Sequence, residues 1–227
     1  MNNLILVRHG QSIFNLQRRF TGFYDVELTS KGESEAEFAG ELIKKLNIEF
    51  DAYFTSQLMR ATKSLNIILK VLNKSNVDIN KAWELNERHY GGLTGLNKDD
   101  TIKKYGEKQV QIWRRSFDIP PPQMEQEHPY KNKINSDILS ESLKDTFKRV
   151  IPYFNKKIKP LVLSNKNILV VFHGNSCRAL LKEILNISEK KIIEFEVPTG
   201  NPLLIKFEKN FKVKNCKYLD KKRAKKI

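Results

Sequence analysis

Residues 4–12 read Leu-Ile-Leu-Val-Arg-His-Gly-Gln-Ser, four apolar residues that run directly into a basic and polar turn. A short, continuous apolar run of this kind predicts a strand that is buried on both faces, as in a parallel sheet. Residues 168–175 repeat the arrangement, because Ile-Leu-Val-Val-Phe is followed there by His-Gly-Asn. Two buried strands that each end in a His-Gly pair therefore indicate both the fold class and the place of a site.

Helical and extended patterns alternate along the rest of the chain. Apolar spacing predicts a helix over each of four segments: 30–46, 58–72, 141–161 and 176–185. The third is expected to bend or break at Pro152, because proline removes a helical hydrogen bond. Shorter apolar runs predict strands over three further segments: 52–54, 203–207 and 211–218, the last two forming a closing hairpin.

The helix that begins near residue 30 has a specific predicted start and a specific predicted buried face. Ser30 and Glu33 have the spacing of a capping box, in which each side chain accepts from the backbone of the other residue. The apolar side chains on one face of this helix are Phe38, Leu42, Ile43 and Leu46. We expect this face to pack on the sheet.

Strands that alternate with helices favour an α/β fold, a three-layer sandwich whose mostly parallel central sheet has helices on both faces. The 227 residues fit one domain, which we place at residues 1–219. A polar and aromatic stretch within 91–140 is expected to form an inserted lid. Residues 220–227 are expected to be a basic, disordered tail. In such sheets a ligand binds outside the carboxyl ends of the strands, where both His-Gly pairs lie.

Composition narrows the class of protein. The net charge is +15, but the lysines are spread along the whole chain, so we expect no nucleic-acid partner and assign the run Lys221–Lys226 to a solvated tail. A basic protein of this kind attracts small phosphorylated anions. No apolar run approaches the roughly 20 residues of a membrane span, so we expect no membrane partner. The two cysteines, Cys177 and Cys216, predict no disulfide framework and no metal site, and a cytoplasmic location follows as the default.

The residues around the first His-Gly pair suit phosphoryl chemistry. Neutral histidine is a competent nucleophile through a ring nitrogen. Arg8 offers a permanently charged fork that matches phosphate oxygens. Gly10 lets a phosphate approach the backbone closely. A second His-Gly pair at a strand end is improbable by chance in a chain with 4 His, so we single out His9 and His173.

The ordered motifs resemble the histidine phosphatase superfamily and, within it, the cofactor-dependent phosphoglycerate mutases. The resemblance covers residues 4–208. Its motifs are Leu-Val-Arg-His-Gly-Gln-Ser at 6–12, Phe-Thr-Gly-Phe-Tyr-Asp-Val at 20–26, Thr-Ser-Gln-Leu-Met-Arg-Ala at 55–61, Leu-Asn-Glu-Arg-His-Tyr-Gly at 85–91, Gly-Leu-Asn-Lys at 95–98, Trp-Arg-Arg at 113–115, His-Gly-Asn-Ser at 173–176 and Pro-Thr-Gly-Asn-Pro-Leu at 198–203.

The resemblance implies interconversion of 3-phosphoglycerate and 2-phosphoglycerate in glycolysis and gluconeogenesis. It makes His9 the phosphorylated residue, with Arg8, Arg60 and His173 against the transferring phosphoryl group, and Glu87 as the group that exchanges a proton with the substrate hydroxyl. It implies 2,3-bisphosphoglycerate as primer of the phosphoenzyme and no metal. The substrate-binding residues that we carry over are Gly10, Gln11, Ser12, Asn15, Thr21, Gly22, Arg88, His89, Tyr90, Lys98, Arg114, Arg115, Gly174 and Asn175.

Three departures from the family pattern bear on function. Gln11 stands where the family usually has Glu, the segment 123–140 is shorter than in many relatives, and the tail after Tyr218 is short and basic. The last two leave lid closure, assembly as a homodimer or homotetramer, and the balance of mutase against phosphatase activity open, since water exclusion protects a phosphoenzyme. The alternatives are a phosphatase that hydrolyses a small phosphorylated metabolite and an inactive binding protein that uses its basic surface.

Overall fold

A computed structural model describes residues 2–225 of the chain. One six-stranded sheet has the spatial order β3-β2-β4-β1-β5-β6. The first four strands in this order are mutually parallel, whereas β5 is antiparallel to β1, and β6 is antiparallel to β5. The strands are β1 (Asn3–Arg8), β2 (Ala52–Thr55), β3 (Ile79–Lys81), β4 (Ile168–Phe172), β5 (Leu203–Phe207) and β6 (Val213–Tyr218). The sheet is therefore mixed, with a parallel part that contains both predicted His-Gly strands.

Helices connect the strands and flank the sheet. The α-helices are α1 (Ile13–Leu16), α2 (Ser30–Lys44), α3 (Met59–Val71), α4 (Lys98–Tyr105), α5 (Glu107–Arg115), α6 (Leu143–Tyr153), α7 (Lys159–Leu163), α8 (Gly174–Ile184) and α9 (Glu189–Ile192). Short 3₁₀ turns cover Trp83–Leu85, Gly91–Leu93 and Lys131–Lys133, and a π-helical turn covers Phe154–Ile158.

The central strands are buried on both faces, as their continuous apolar sequences predict. In β1, Leu4 and Leu6 pack with α6 and α8, whereas Ile5 and Val7 pack with α2 and α3. Residues of β4 alternate in the same way. The arrangement is a three-layer α/β sandwich, which confirms the predicted fold class.

The start and the buried face of α2 differ from the prediction. Thr29 is the N-cap, with an extended backbone, and its hydroxyl accepts from the Gly32 amide 3.1 Å away. Ser30 is already helical, so it cannot cap, and the predicted capping box is wrong. Phe38 is 46% exposed, and the fully buried face is formed by small residues and Ile43. A Cβ built on Gly40 would lie 2.8 Å from the Val71 Cβ, which shows how closely α2 and α3 approach.

The helix is not interrupted at Pro152, because α6 runs through the proline to Tyr153; the irregularity is the π-helical turn that begins two residues later, at Phe154. Sequence patterns did not predict β3, α4, α5 or α9 because each is short or strongly polar. Two small apolar clusters attach 91–140 to residues 20–24; one contains Phe20 and Val110, and the other contains Phe23 and Met124. The assignment of 91–140 as a lid stays a prediction.

Residues 220–225 follow the last strand and contact the body of the protein. Arg223 pairs with Asp220 at 2.7 Å and donates to the carbonyl oxygens of Thr199 and Gly200. Lys225 reaches Glu196. The tail that we predict to be disordered extends to residues 226–227, which lie outside the described residues.

Candidate active site

A cavity of about 260 Å³ opens at the carboxyl ends of the parallel strands, where the order of strands predicts a ligand site. Its walls carry eight arginine and lysine side chains but two carboxylates among the described residues, Glu87 and Glu196. The basic residues are Arg8, Arg19, Arg60, Lys98, Arg114, Arg115, Arg178 and Lys225. Such a balance favours a ligand with several negative charges.

His9 follows the last residue of β1, and its amide donates to the Phe172 carbonyl of β4, which fixes it at the centre of the sheet edge. The imidazole Nδ1 lies 2.6 Å from the Gly10 carbonyl oxygen. A carbonyl only accepts, so Nδ1 carries the ring proton and Nε2 keeps its lone pair. Burial, with Arg60 and Arg8 nearby, lowers the His9 pKa well below its usual value. The ring is therefore neutral and nucleophilic at physiological pH.

His173 lies beside His9 at the end of β4. Its Nε2 is 2.6 Å from the Ser56 hydroxyl oxygen, while its Nδ1 is buried and has no hydrogen-bond partner within residues 2–225. Burial, followed by the effect of Arg60, lowers the His173 pKa well below its usual value. An unpartnered buried ring nitrogen is costly, and His173 itself is fully buried and does not border the cavity.

Arg8 and Arg60 place two guanidinium groups in the same part of the cavity. Arg8 donates from Nη1 to the Val197 carbonyl at 2.8 Å, and its buried Nε has no partner among the described residues. Arg60 is 1% exposed and donates to the Gly22 and Tyr24 carbonyls. Burial lowers the Arg60 pKa to about 10, so this side chain remains charged at neutral pH. Fixed cations of this kind suit phosphate oxygens.

Glu87 borders the cavity between the two histidine loops. Its Oε1 accepts from the Arg88 amide at 2.8 Å and from the Asn175 amide at 3.0 Å, the latter in the first turn of α8. These two bonds fix the carboxylate, and Oε2 makes no hydrogen bond to the described residues. An oriented carboxylate with one unengaged oxygen at the cavity can exchange a proton with a ligand hydroxyl.

The cavity wall also contains a second cluster of polar groups, around Tyr90. The Asn175 amide group donates to the Tyr90 hydroxyl at 3.2 Å. Burial alone would raise the Tyr90 pKa, but Arg88 and Lys98 outweigh it and bring the pKa down to about 8. Burial also lowers the pKa values of Lys98 and Arg114. The positive charges of Lys98 and Arg114 repel each other. An anionic ligand bound beside them would offset this repulsion.

The chain is similar in sequence to known proteins along most of its length. The sequence model of the histidine phosphatase superfamily (branch 1) matches residues 4–216. The chain belongs to the histidine phosphatase superfamily. A protein of Treponema denticola is 49% identical over 95% of this chain and 91% of its own length; one of Caulobacter sp. is 47% identical, over 97% and 96%. Both are named 2,3-bisphosphoglycerate-dependent phosphoglycerate mutase.

Solved structures show the same fold. A putative alpha-ribazole-5'-P phosphatase from Escherichia coli has a TM-score of 0.71 at 19% identity, over 96% of this chain and 95% of that chain. A mycobacterial glucosyl-3-phosphoglycerate phosphatase has a TM-score of 0.72 at 18% identity, over 96% and 97%. At these identities the likeness shows the fold alone.

Most residues carried over from the superfamily resemblance border the cavity, and the others lie behind its wall. The wall includes His9, Glu87, Arg8, Arg60, Asn15, Thr21, Tyr90, Lys98, Arg114, Arg115, Gly174 and Asn175. The predicted residues behind the wall are Gly10, Gln11, Ser12, Gly22, Arg88, His89 and His173. For all of these the functional role stays a prediction.

The residues behind the wall make specific contacts with the backbone or with each other. The Gln11 side chain accepts from Thr29, and the Ser12 hydroxyl accepts from the Asn15 amide at the start of α1. The Gly22 carbonyl accepts from Arg60, and Gly22 has φ +58°, which a side chain would strain. Arg88 is fully buried and lies over the Tyr90 ring. These contacts hold the shape of the cavity.

Several cavity residues were missed by sequence reasoning. They are Arg19, Phe20, Arg178, Phe195, Glu196, Val197, Pro198 and Lys225. Arg178 lies on α8, four residues after Gly174 and three after Asn175. This helical spacing places it on the same face as those two cavity residues and could have indicated its position. Burial, then Arg88 and Arg115, lowers the Arg178 pKa to about 9. Segment 195–197 comes from the chain beyond β4, and no local pattern predicts its approach. Pro198 begins the motif at 198–203, and Lys225 belongs to the basic run Lys221–Lys226, which as a charged tail could already be expected near an anionic ligand.

A metal-binding cluster and a membrane-spanning helix are both absent from the described residues. Residues 2–225 contain no group of three or more His, Cys, Asp and Glu side chains arranged to hold a metal ion. Among those residues no helix is both long and apolar enough to span a membrane. Cys177 and Cys216 are free thiols.

Proposed function

We propose that the protein interconverts 3-phosphoglycerate and 2-phosphoglycerate by passing a phosphoryl group through His9. The observation that carries the proposal is the neutral His9 ring, whose Nδ1 is tied to the Gly10 carbonyl so that Nε2 is the nucleophile in a cavity of converging cations. The names of relatives at 45–49% identity support the same substrate class.

In this proposal His9 is first phosphorylated on Nε2 by the primer. The phosphohistidine then gives its phosphoryl group to the 2-hydroxyl of 3-phosphoglycerate, and His9 Nε2 takes the 3-phosphoryl group from the 2,3-bisphosphoglycerate so formed, which leaves 2-phosphoglycerate. The transition state spreads negative charge over the peripheral oxygens of the transferring group. Arg8 and Arg60 supply fixed positive charge there, and His173 packs against the His9 ring from behind the cavity wall. No reorganisation is needed during the reaction, because backbone carbonyls already hold both arginines.

Glu87 is the proton-transfer group in this scheme. Two amides hold its Oε1, so Oε2 takes a proton from the substrate hydroxyl that attacks phosphohistidine and gives a proton to the oxygen that leaves. The helix α8 amide that holds Glu87 belongs to Asn175, which follows the His173 loop directly. Proton transfer and phosphoryl transfer are therefore linked through one rigid turn.

The second cation cluster favours a mutase over a simple phosphatase. A bisphosphorylated ligand needs a site for the phosphate that is not transferred and for the carboxylate. Lys98, Arg114 and Arg115, together with Tyr90, border the cavity and offer that site. The ligand must also turn within the cavity to present its other oxygen to His9.

The experiment is a ³¹P NMR assay that starts from 3-phosphoglycerate, with 2,3-bisphosphoglycerate as primer and EDTA throughout. Appearance of 2-phosphoglycerate that depends on the primer supports the proposal. Inorganic phosphate as the main product supports the phosphatase alternative instead. Retained activity in EDTA is expected because arginines and lysines supply the positive charge.

Other features of the proposal rest on the resemblance. We propose 2,3-bisphosphoglycerate as the primer, and the basic side chains that line the cavity, Arg8 and Arg60 among them, fit its negative charge. A cytoplasmic location, the homodimer or homotetramer, and the lack of a nucleic-acid partner stay predictions.

A further inference from the structure

A buried ion pair lies behind the cavity wall and is not used by the proposed chemistry. Arg149 of α6 donates from Nε to Glu141 Oε1 at 2.6 Å and from Nη2 to Glu141 Oε2 at 2.9 Å. The two side chains are 7% and 4% exposed. A buried pair of this kind often adds little stability, so its role is to be sought in what else it contacts.

Arg149 gathers the carbonyl groups of the segment that precedes and includes Glu87. Its Nη1 donates to the carbonyls of Glu84 at 2.6 Å and Asn86 at 3.0 Å, and its Nη2 donates to the carbonyl of Glu87 at 2.9 Å. The segment ends the 3₁₀ turn Trp83–Leu85, where carbonyls lack helical partners. One guanidinium therefore fixes the backbone on which Glu87 is carried.

Glu141 fixes the other side of the same segment. Its Oε2 accepts from the His89 amide at 2.8 Å, and its own amide donates to the His89 carbonyl. The pair thus holds the backbone at residues 84, 86, 87 and 89. Neither Arg149 nor Glu141 borders the cavity. Their hydrogen-bonded connection to the site therefore runs through the backbone of Glu87 and His89.

We infer that Arg149 and Glu141 form a positioning pair that sets the direction of the Glu87 carboxylate for proton transfer. This inference rests on the proposed function of Glu87. The amide bonds to Glu87 fix Oε1, but they do not fix the backbone from which the side chain projects. A displacement of about 1 Å in such a group is enough to cost about a hundredfold in rate.

The test is a double-mutant cycle on turnover, with substrate binding and folding measured alongside. Arg149→Lys keeps the charge but cannot reach all three carbonyls and both carboxylate oxygens. We expect kcat to fall about tenfold or more, within the range for a misplaced group, while KM for 3-phosphoglycerate changes less than about threefold. In a Glu87→Gln background the same substitution should have no further effect on kcat, since Arg149 acts through Glu87.

Two further variants make the cycle decisive. Lys148→Met is the matched control, because Lys148 is the preceding residue of α6 and its side chain is 67% exposed. It should leave kcat and KM unchanged. Glu141→Gln replaces the charge with a neutral group of the same shape and should repeat the non-additivity, which keeps the test valid if Arg149→Lys does not fold.

The outcomes separate this inference from the proposed function. Failure of the wild-type protein to form 2-phosphoglycerate would overturn the proposed function, and the inference with it. If the wild-type protein forms 2-phosphoglycerate but Arg149→Lys lowers kcat by the same factor in the wild-type and the Glu87→Gln backgrounds, the inference alone is overturned. Loss of the fold in both pair variants, measured by circular dichroism, would assign the pair to stability and also overturn it.

Discussion

The imidazole rings of His9 and His173 meet edge to face, with centroids 5.0 Å apart and planes at 62°. Burial lowers both pKa values, with Arg60 the next cause in each case. Two neutral rings, rather than an imidazolium pair, therefore flank the place where a phosphoryl group would be transferred. This relationship makes the pH dependence of the protein a direct test of the site.

The first prediction concerns stability against pH. The unfolded chain takes up protons on these histidines near pH 6.5, whereas the folded chain does not, so the unfolded state binds more protons and stability falls below that pH. Each buried histidine contributes up to about 1.4 kcal/mol per pH unit. His89, whose pKa burial lowers to about 4, belongs to the same group. Between pH 8 and pH 5, the free energy of unfolding measured in urea should fall less in His89→Gln than in the wild-type protein. An equal fall of the free energy of unfolding in His89→Gln and in the wild-type protein would contradict this prediction.

The second prediction separates two groups of cations in the cavity. Arg60→Ala should lower kcat by two to three decades, about the loss expected when one charge-stabilising donor is removed. Arg114→Ala should mainly raise KM for 3-phosphoglycerate, because Arg114 belongs to the cluster with Lys98 that is proposed to hold the groups that are not transferred. Steady-state kinetics of the two variants measure this division. Equal losses of kcat in both would show that the cavity does not have two parts.

The third prediction concerns the glycine after the proposed nucleophile. A Cβ on Gly10 would lie 2.0 Å from the Gly32 carbonyl oxygen, a backbone atom of α2. Gly10→Ala should therefore lower the free energy of unfolding by about 3 kcal/mol, the upper part of the range for overpacking. Gly92→Ala is the control, because its Cβ would approach no closer than 3.0 Å, to Gln123 on an exposed segment. Similar urea midpoints for the two variants would refute the prediction.

The fourth prediction concerns the charged end of the chain. Lys225 borders the cavity, is 54% exposed, and lies 3.6 Å from a Glu196 oxygen. Lys225→Ala should raise KM for 3-phosphoglycerate severalfold at low ionic strength and have little effect at about 0.5 M salt, where the Debye length falls to about 4–5 Å. Lys222→Ala, in the same tail but away from the cavity, is the matched control. A salt-independent change in KM would rule out electrostatic attraction as its cause.

The parts of the fold that were predictable are those with unbroken apolar patterns. Residues 4–7 and 168–172 are buried on both faces, so the sequence alone indicates their strands and the sheet edge at which His9 and His173 meet. The start of α2 was missed by one residue, because Thr29 and Ser30 are both good caps and the choice depends on the tertiary contact of Thr29 with Gln11. Local sequence carries no information on that contact.

The cavity residues also divide into those that sequence motifs predict and those that depend on distant packing. His9, Glu87 and Arg60 were identified from motifs, and the structure brings them to one cavity. Phe195 and Val197 were missed because their approach to the cavity depends on the packing of distant segments. The Arg149–Glu141 pair was also beyond local patterns, because it becomes visible only when the carbonyls of residues 84–87 converge on one side chain.

The most direct test of the account is to map the phosphoryl group after incubation with ³²P-labelled 2,3-bisphosphoglycerate. We expect one acid-labile label, as for a phosphoramidate, on the peptide that contains His9. The variant His9→Gln should fold normally and take up no label. Label on another residue, or unchanged formation of 2-phosphoglycerate by His9→Gln, would contradict the account.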